Sequence, residues 1–142
     1  MAREDDPYDL ERFVAAQRGV VEEAMAELTR GRKTSHWMWF VFPQLAGLGL
    51  SAMSRRYAIS GLAEAKAYLR HDVLGPRLRA CARLVNAHAG RTAREIFGAP
   101  DDRKFFSSMT LFARASEGES VFGEALDAFF EGARDVATLD RL

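Results

Sequence analysis

The stretch DPYDLERFVAAQRGVVEEAMAELTRG, Asp6 to Gly31, carries the strongest periodic signal in the chain. Leu10, Phe13, Val14, Gln17, Val21, Ala24, Met25 and Leu28 recur at steps of three and four residues, the spacing that lines up one face of an α-helix. The ends agree. Asp6 suits an N-cap, Pro7 the first helical position, and Asp9 and Glu11 the positive end of the helix dipole. Gly31, preceded by Arg30, supplies a stop. One long helix is expected here. Gln17 is the only polar residue on its apolar face; a buried amide needs partners, so it either ties down a backbone group or looks into a pocket.

Working outward, the same punctuation recurs. Ser35 is a candidate cap for a short helix from His36, stopped by Pro43. The apolar run Trp37–Phe42 also suits a buried strand, but no alternating β-branched partner strand is present, which favours helix. Gly47 and Gly49 mark a loop. Further helices are expected from Ser60 to about His71, with Leu62, Ala65, Lys66 and Leu69 on one side, and from Asp72–Pro76 to His88, with Leu78, Cys81, Ala82 and Val85 on its apolar face and Gly90 closing it. Thr92 and Glu95 form a capping box for a helix stopped by Gly98. Asp101 is placed to cap DRKFFSSMTLFA, which lacks a clean period. An amphipathic helix is expected over Glu119–Glu131, with Gly132 as its stop, followed by a short helical tail, Asp135–Leu142. The sum is a mainly α fold: one compact domain over residues 1–142, of six or seven helices with short loops.

Composition supports this. A chain of 142 residues, 48% hydrophobic and 28% charged, is large enough to bury roughly 70% of its unfolded surface without staples. Disorder, collagen-like repeats and a disulfide scaffold are excluded. The zero formal net charge argues against a duplex nucleic acid partner. Charge is nonetheless segregated. Residues 1–27 hold eight acids against three bases and residues 117–142 seven against two, whereas residues 28–63 hold five bases and no acid. Either the acidic ends neutralise the basic middle, or the middle faces an anionic ligand. Cys81 is alone, which excludes an internal disulfide and CxxC chemistry, and its apolar helix face marks it as an inert core thiol. His71 and His88 lack metal-ligand spacing, so no metal is expected, and no cofactor motif is present. The N-terminus, MAREDDPYD, is too acidic for a signal or transit peptide, and Trp37–Phe42 is far too short to span a membrane. A cytoplasmic protein is the expectation.

Two constellations carry candidate chemistry. The first is Arg32, Lys33, Ser35, His36, Trp37, Trp39 and Gln44, with both tryptophans beside two cations. Arg32 and Lys33 suit a phosphate or carboxylate, and indole faces suit a planar group. The competing explanation is a core aromatic cluster flanked by solvated bases. The second is Asp101, Lys104, Ser107, Ser108 and Thr110, hydroxyls set among phenylalanines, which need either backbone partners or a ligand. Asp101 and Lys104, three apart, also suit a simple helix-surface pair.

The segments GRKTSHWMWFVFPQ (31–44), GLGLS (47–51), AISGLAEAKAYLRHDVLGPRL (58–78), IFGAPDDRKFFSSMTLF (96–112) and FFEGARDVATL (129–139) resemble a bacterial and fungal family, domain of unknown function 1810, from about residue 13 to 142. The resemblance implies a mainly helical fold and no activity. Phe105–Phe106 departs from the Leu–Arg or Phe–Arg commoner in that family, removing a possible cation beside Lys104. Members are sometimes called calpastatin, but that inhibitor is disordered, and this composition must fold.

Three functions follow as expectations. The first is a pocket for a small anionic or nucleotide-like ligand, with Lys33 and Lys104 neutralising charge, Trp37 or Trp39 stacking, and Gln44, Ser107 and Ser108 orienting. The second is a hydrolase- or transferase-type enzyme with His36 as acid or base and Ser108 or Asp101 as its partner. The third is a protein-interaction or self-association module. The first two require residues 33–44 and 101–110 to share one hollow.

Overall fold

The computed structural model describes residues 5–117 and 120–142; Glu119, where the amphipathic helix was expected to begin, lies outside the described residues. Ten helices are present among the described residues: α1 Glu11–Gln17, α2 Val21–Arg30, α3 Met38–Val41, α4 Ala52–Arg56, α5 Leu62–Arg70, α6 Leu74–Asn86, α7 Ala93–Phe97, α8 Asp101–Ala115, α9 Ser120–Phe130 and α10 Val136–Asp140. Six have seven or more residues, so the expected six or seven undercounts the short ones. No strand forms among the described residues; Leu45 and Ile59 make one isolated parallel bridge.

The long first helix is two. Gly19 adopts φ +76°, a left-handed conformation that ends one helix before Val21 starts the next. Asp6 does cap the chain's first turn, accepting the Leu10 and Glu11 amides at 2.7 and 3.0 Å, but Pro7 lies before the helix rather than in it. The break leaves the apolar face continuous: Leu10, Phe13, Gln17, Val21, Ala24 and Leu28 are all buried. Gln17 takes the backbone option. Its amide nitrogen donates to the Phe40 carbonyl at 2.7 Å, and Arg77 donates to its oxygen at 3.2 Å.

Several sequence signals hold as read. Trp37–Phe42 contains a helix; Thr92 and Glu95 make the reciprocal capping box; Gly31, Gly98 and Gly132 take positive φ after α2, α7 and α9. Cys81 is buried, and desolvation pushes its thiol up to about 12, which keeps it protonated and inert. Two caps differ. Trp37, not Ser35, precedes α3, and Pro100, not Asp101, precedes α8, so Asp101 is the first residue of that helix.

α8 lies at the centre, packed against α5, α7, α9 and α10. Its lack of a clean period now has a cause. Phe105, Ser107, Ser108, Met109, Thr110, Leu111 and Phe112 are buried on successive faces, as expected of a helix enclosed on most sides. Phe105 meets Phe42 edge-on at 5.1 Å and stacks on Phe97 at 4.7 Å, while Phe112 meets Tyr68 and Phe122. One apolar cluster thereby runs from Leu10 to Leu126.

Two polar clamps close the structure. The Arg12 guanidinium donates to the Tyr8, Asp9, Arg56 and Ala58 carbonyls and pairs with buried Glu64 at 2.9 Å. Asp135 accepts from Ser107 at 2.8 Å and from Thr138 at 2.6 Å, and its amide donates to Thr110. The hydroxyls of α8 thus hold α10.

At Gly75 an added methyl would collide with the Leu69 carbonyl, a backbone group that cannot rotate away. Gly75→Ala is expected to lower stability by about 1–3 kcal/mol, the usual cost of forced overpacking, read as a shift of the urea midpoint with an unchanged slope.

Candidate functional site

The site begins with a residue that sequence reading passed over. Glu27, on the buried side of α2, is 1% exposed. Its Oε1 accepts the Thr34 amide at 2.7 Å, the Ser35 amide at 2.9 Å and the Trp37 indole N–H at 3.0 Å. Loop amides that leave water need acceptors, and one carboxylate provides for the amides of Thr34 and Ser35 and for the Trp37 indole. Burial alone would raise its pKa, but the hydrogen bonds from Ser35, Thr34 and Trp37 outweigh that and hold it down to about 2. Ser35 also donates its hydroxyl to Glu23 at 2.9 Å. Beyond the turn, the Lys33 amide donates to the Ile96 carbonyl of α7 at 2.7 Å, joining this loop to the segment that leads into α8.

Between those two segments lies a hollow of about 350 Å3, lined among others by Lys33, Ser35, His36, Trp39, Pro100 and Asp101. Lys33 Nζ is 2.8 Å from Asp101 Oδ2, and Lys104 Nζ is 3.5 Å from Asp101 Oδ1. Each ammonium also rests over an indole, Lys33 on Trp37 at 5.1 Å and Lys104 on Trp39 at 5.5 Å to the ring centre. Two cations share one carboxylate, so the cluster carries a net positive charge. The side chain of Lys33 is only 7% exposed, which makes a close anionic partner obligatory for its charged form.

The two constellations therefore meet, though not all their members do. Lys33, Ser35, His36, Trp39 and Asp101 line the hollow, with Lys104 bound to Asp101 beside it. Trp37 is fully buried and spent on Glu27 and Lys33. Arg32 is exposed and does not line the hollow. Gln44 is half-buried, and its backbone carbonyl accepts the Ile59 amide. Ser107 belongs to the Asp135 clamp. Ser108 is fully buried, outside the hollow, and its hydroxyl has no hydrogen-bond partner among the described residues. His36 is exposed and makes no hydrogen bond among the described residues.

A roomier recess of about 410 Å3 lies beside Tyr8, Ala67 and His71. Two of its polar groups are committed, Asp6 to the Leu10 and Glu11 amides and His71 Nδ1 to the Val73 and Leu74 amides, and Asp5, Glu11 and Arg70 line the rest of it. Among the described residues no cluster of three or more His, Cys, Asp or Glu is arranged to hold a metal, and no helix is long and apolar enough to cross a membrane.

Comparison with known proteins identifies the family and the fold. The family described as Protein of unknown function (DUF1810) matches residues 7–142, and the chain belongs to it. The fold is also that of a solved relative, the conserved hypothetical protein Rv1873 from Mycobacterium tuberculosis, which is 55% identical with a TM-score of 0.95 over 96% of this chain and 98% of that one. No curated protein matches the chain.

Glu27 gives a test of the site's foundation. A carboxyl depressed from 4.5 to about 2 contributes stability that is fully present above its unfolded pKa and lost as pH falls through its folded one. Its share is roughly 3 kcal/mol at neutral pH. Glu27→Gln is expected to remove stability of that order at pH 7 and to flatten the loss between about pH 4.5 and 2, measured by urea denaturation across that range.

Proposed function

We propose that the protein binds a small organic anion, a planar group bearing a phosphate or carboxylate, in the hollow between residues 33–39 and 97–101. The observation that carries this reading is the Lys33–Asp101–Lys104 cluster, a net positive centre beside the half-buried face of Trp39. The volume suits a compact ligand, near the lower end of the ~300–1,000 Å3 usual for such sites. The N-terminus of α8, a helix of fifteen residues, opens at Asp101 and adds the positive end of its dipole. The anionic group would meet the ammoniums and the ring would lie along Trp39, with Ser35 at the rim.

Calorimetry with phenyl phosphate, against phenol and inorganic phosphate, separates the contributions. Phenyl phosphate is expected to bind more tightly than either fragment. Lys33→Met, which keeps the stem and removes the charge, is expected to weaken it by at least roughly tenfold, as loss of a buried charge-assisted contact does. Absence of heat with phenyl phosphate, or heat unchanged in the Lys33 variant, would overturn the reading.

A second reading has one observation in its favour: His36 and Asp101 line the same hollow. An acid–base role for His36 on a bound ester requires turnover of p-nitrophenyl phosphate that disappears in His36→Ala while phenyl phosphate still binds. No turnover by the unmodified protein leaves binding alone.

A further inference from the structure

Asp101 differs from the other well-anchored carboxylates of this fold. Asp6 accepts two backbone amides, Glu27 two amides and an indole, Glu64 the Ser60 amide and hydroxyl along with Arg12, and Asp135 two hydroxyls. Those groups are fixed by directional bonds to the backbone or to packed side chains. Asp101 makes no capping bond at the start of α8, and its oxygens are held by Lys33 and Lys104 alone. A short side chain at the first position of a helix, bound only by ammonium groups, needs no backbone movement to turn out toward solvent.

Its placement is also that of a ligand's headgroup. The two oxygens span two ammoniums, 2.8 Å from one and 3.5 Å from the other, at the wall of the hollow. Lys33, buried as it is, needs an anion at that point whether or not a ligand is present. We propose that Asp101 is an internal occupant of the anion site: its carboxylate holds the two lysines while the hollow is empty and turns away when a ligand's phosphate or carboxylate takes the same position. This rests on the binding function proposed above and adds how the site is kept closed. Ligand affinity is then set by competition with a tethered carboxylate, and the apparent affinity falls by the fraction of molecules in which the site is already filled. The penalty is the same for every ligand, so a dianionic phosphate, which binds two ammoniums more strongly than a carboxylate does, fills the site at lower concentration.

Asp101→Asn keeps the shape and removes the competing charge. Calorimetry with inorganic phosphate, phenyl phosphate and benzoate is expected to show tighter binding in this variant, by about tenfold for a site that is nine-tenths self-occupied and by the same factor for each anion. Its thermal midpoint is expected to fall without phosphate, since the lysines lose their partner, and to recover as phosphate is added. Should Asp101→Asn fail to fold, Asp101→Ser, which suits a helix start, carries the same comparison. Equal or weaker binding in a folded Asp101 variant, with the unmodified protein still binding, overturns the internal-occupant role and leaves the binding function standing. No binding of any of the three anions by either protein removes both.

Discussion

The fold around the hollow depends on one buried oxygen. Glu27 Oε1 receives three donors from the chain between α2 and α3, and without it two loop amides would lose their acceptor and a buried indole N–H would be left unpaired. A carboxylate is the right group for the task because it only accepts and its charge strengthens each bond. The cost of desolvating that charge is offset by the donors crowded around it. The loop so fixed carries Lys33, Ser35 and His36 on its outer side and delivers Trp37 into the core. Scaffold and site are thus two faces of one turn.

The second constraint comes from α8. A helix enclosed on most sides cannot devote one face to solvent, so its hydroxyls are used internally, Thr110 and Ser107 on α10 and its Asp135 cap. The start of α8 escapes this enclosure. There the chain passes from Gly98 through Pro100 into Asp101, and the half-exposed residues of the first turn meet the loop from α2. Electrostatics follows from this placement. The acid-free stretch of residues 28–63 contributes Lys33 and the α8 segment contributes Lys104 and Asp101, so two ammoniums face one carboxylate within that cluster, with Glu23 and Glu27 behind Ser35 on the α2 side.

Much of the architecture was legible in the sequence because helix stops and caps are local. Gly31, Gly98, Gly132 and the Thr92–Glu95 box act within a few residues, and periodicity marked the buried faces of α2, α6 and α9. Gly19 was misjudged because hydrophobic spacing survives the break: the residues on either side still face one core. α4 was missed because Ala52–Arg56 has no fully buried residue, with Met53 alone resting on the core, and so leaves no apolar pattern. At the site, the aromatic and cationic residues near Lys33 and Asp101 were visible as composition, whereas their meeting depends on contacts across some seventy positions of chain. Glu27 was hidden inside an acidic run; its one sequence signal is a position three residues after Ala24 and one before Leu28, on the buried side of the helix. Ser107 and Ser108 looked alike as neighbours, but a helix sends adjacent side chains in different directions, one to Asp135 and the other into the core.

The two tryptophans end up in different surroundings although only one residue separates them. Trp37 has no contact with solvent and gives its N–H to a carboxylate, whereas Trp39 is half-buried along the hollow. Indole emission shifts to longer wavelength as the ring meets water. Trp37 is therefore expected to emit at shorter wavelength than Trp39, and of the two rings Trp39 is the one that lines the hollow.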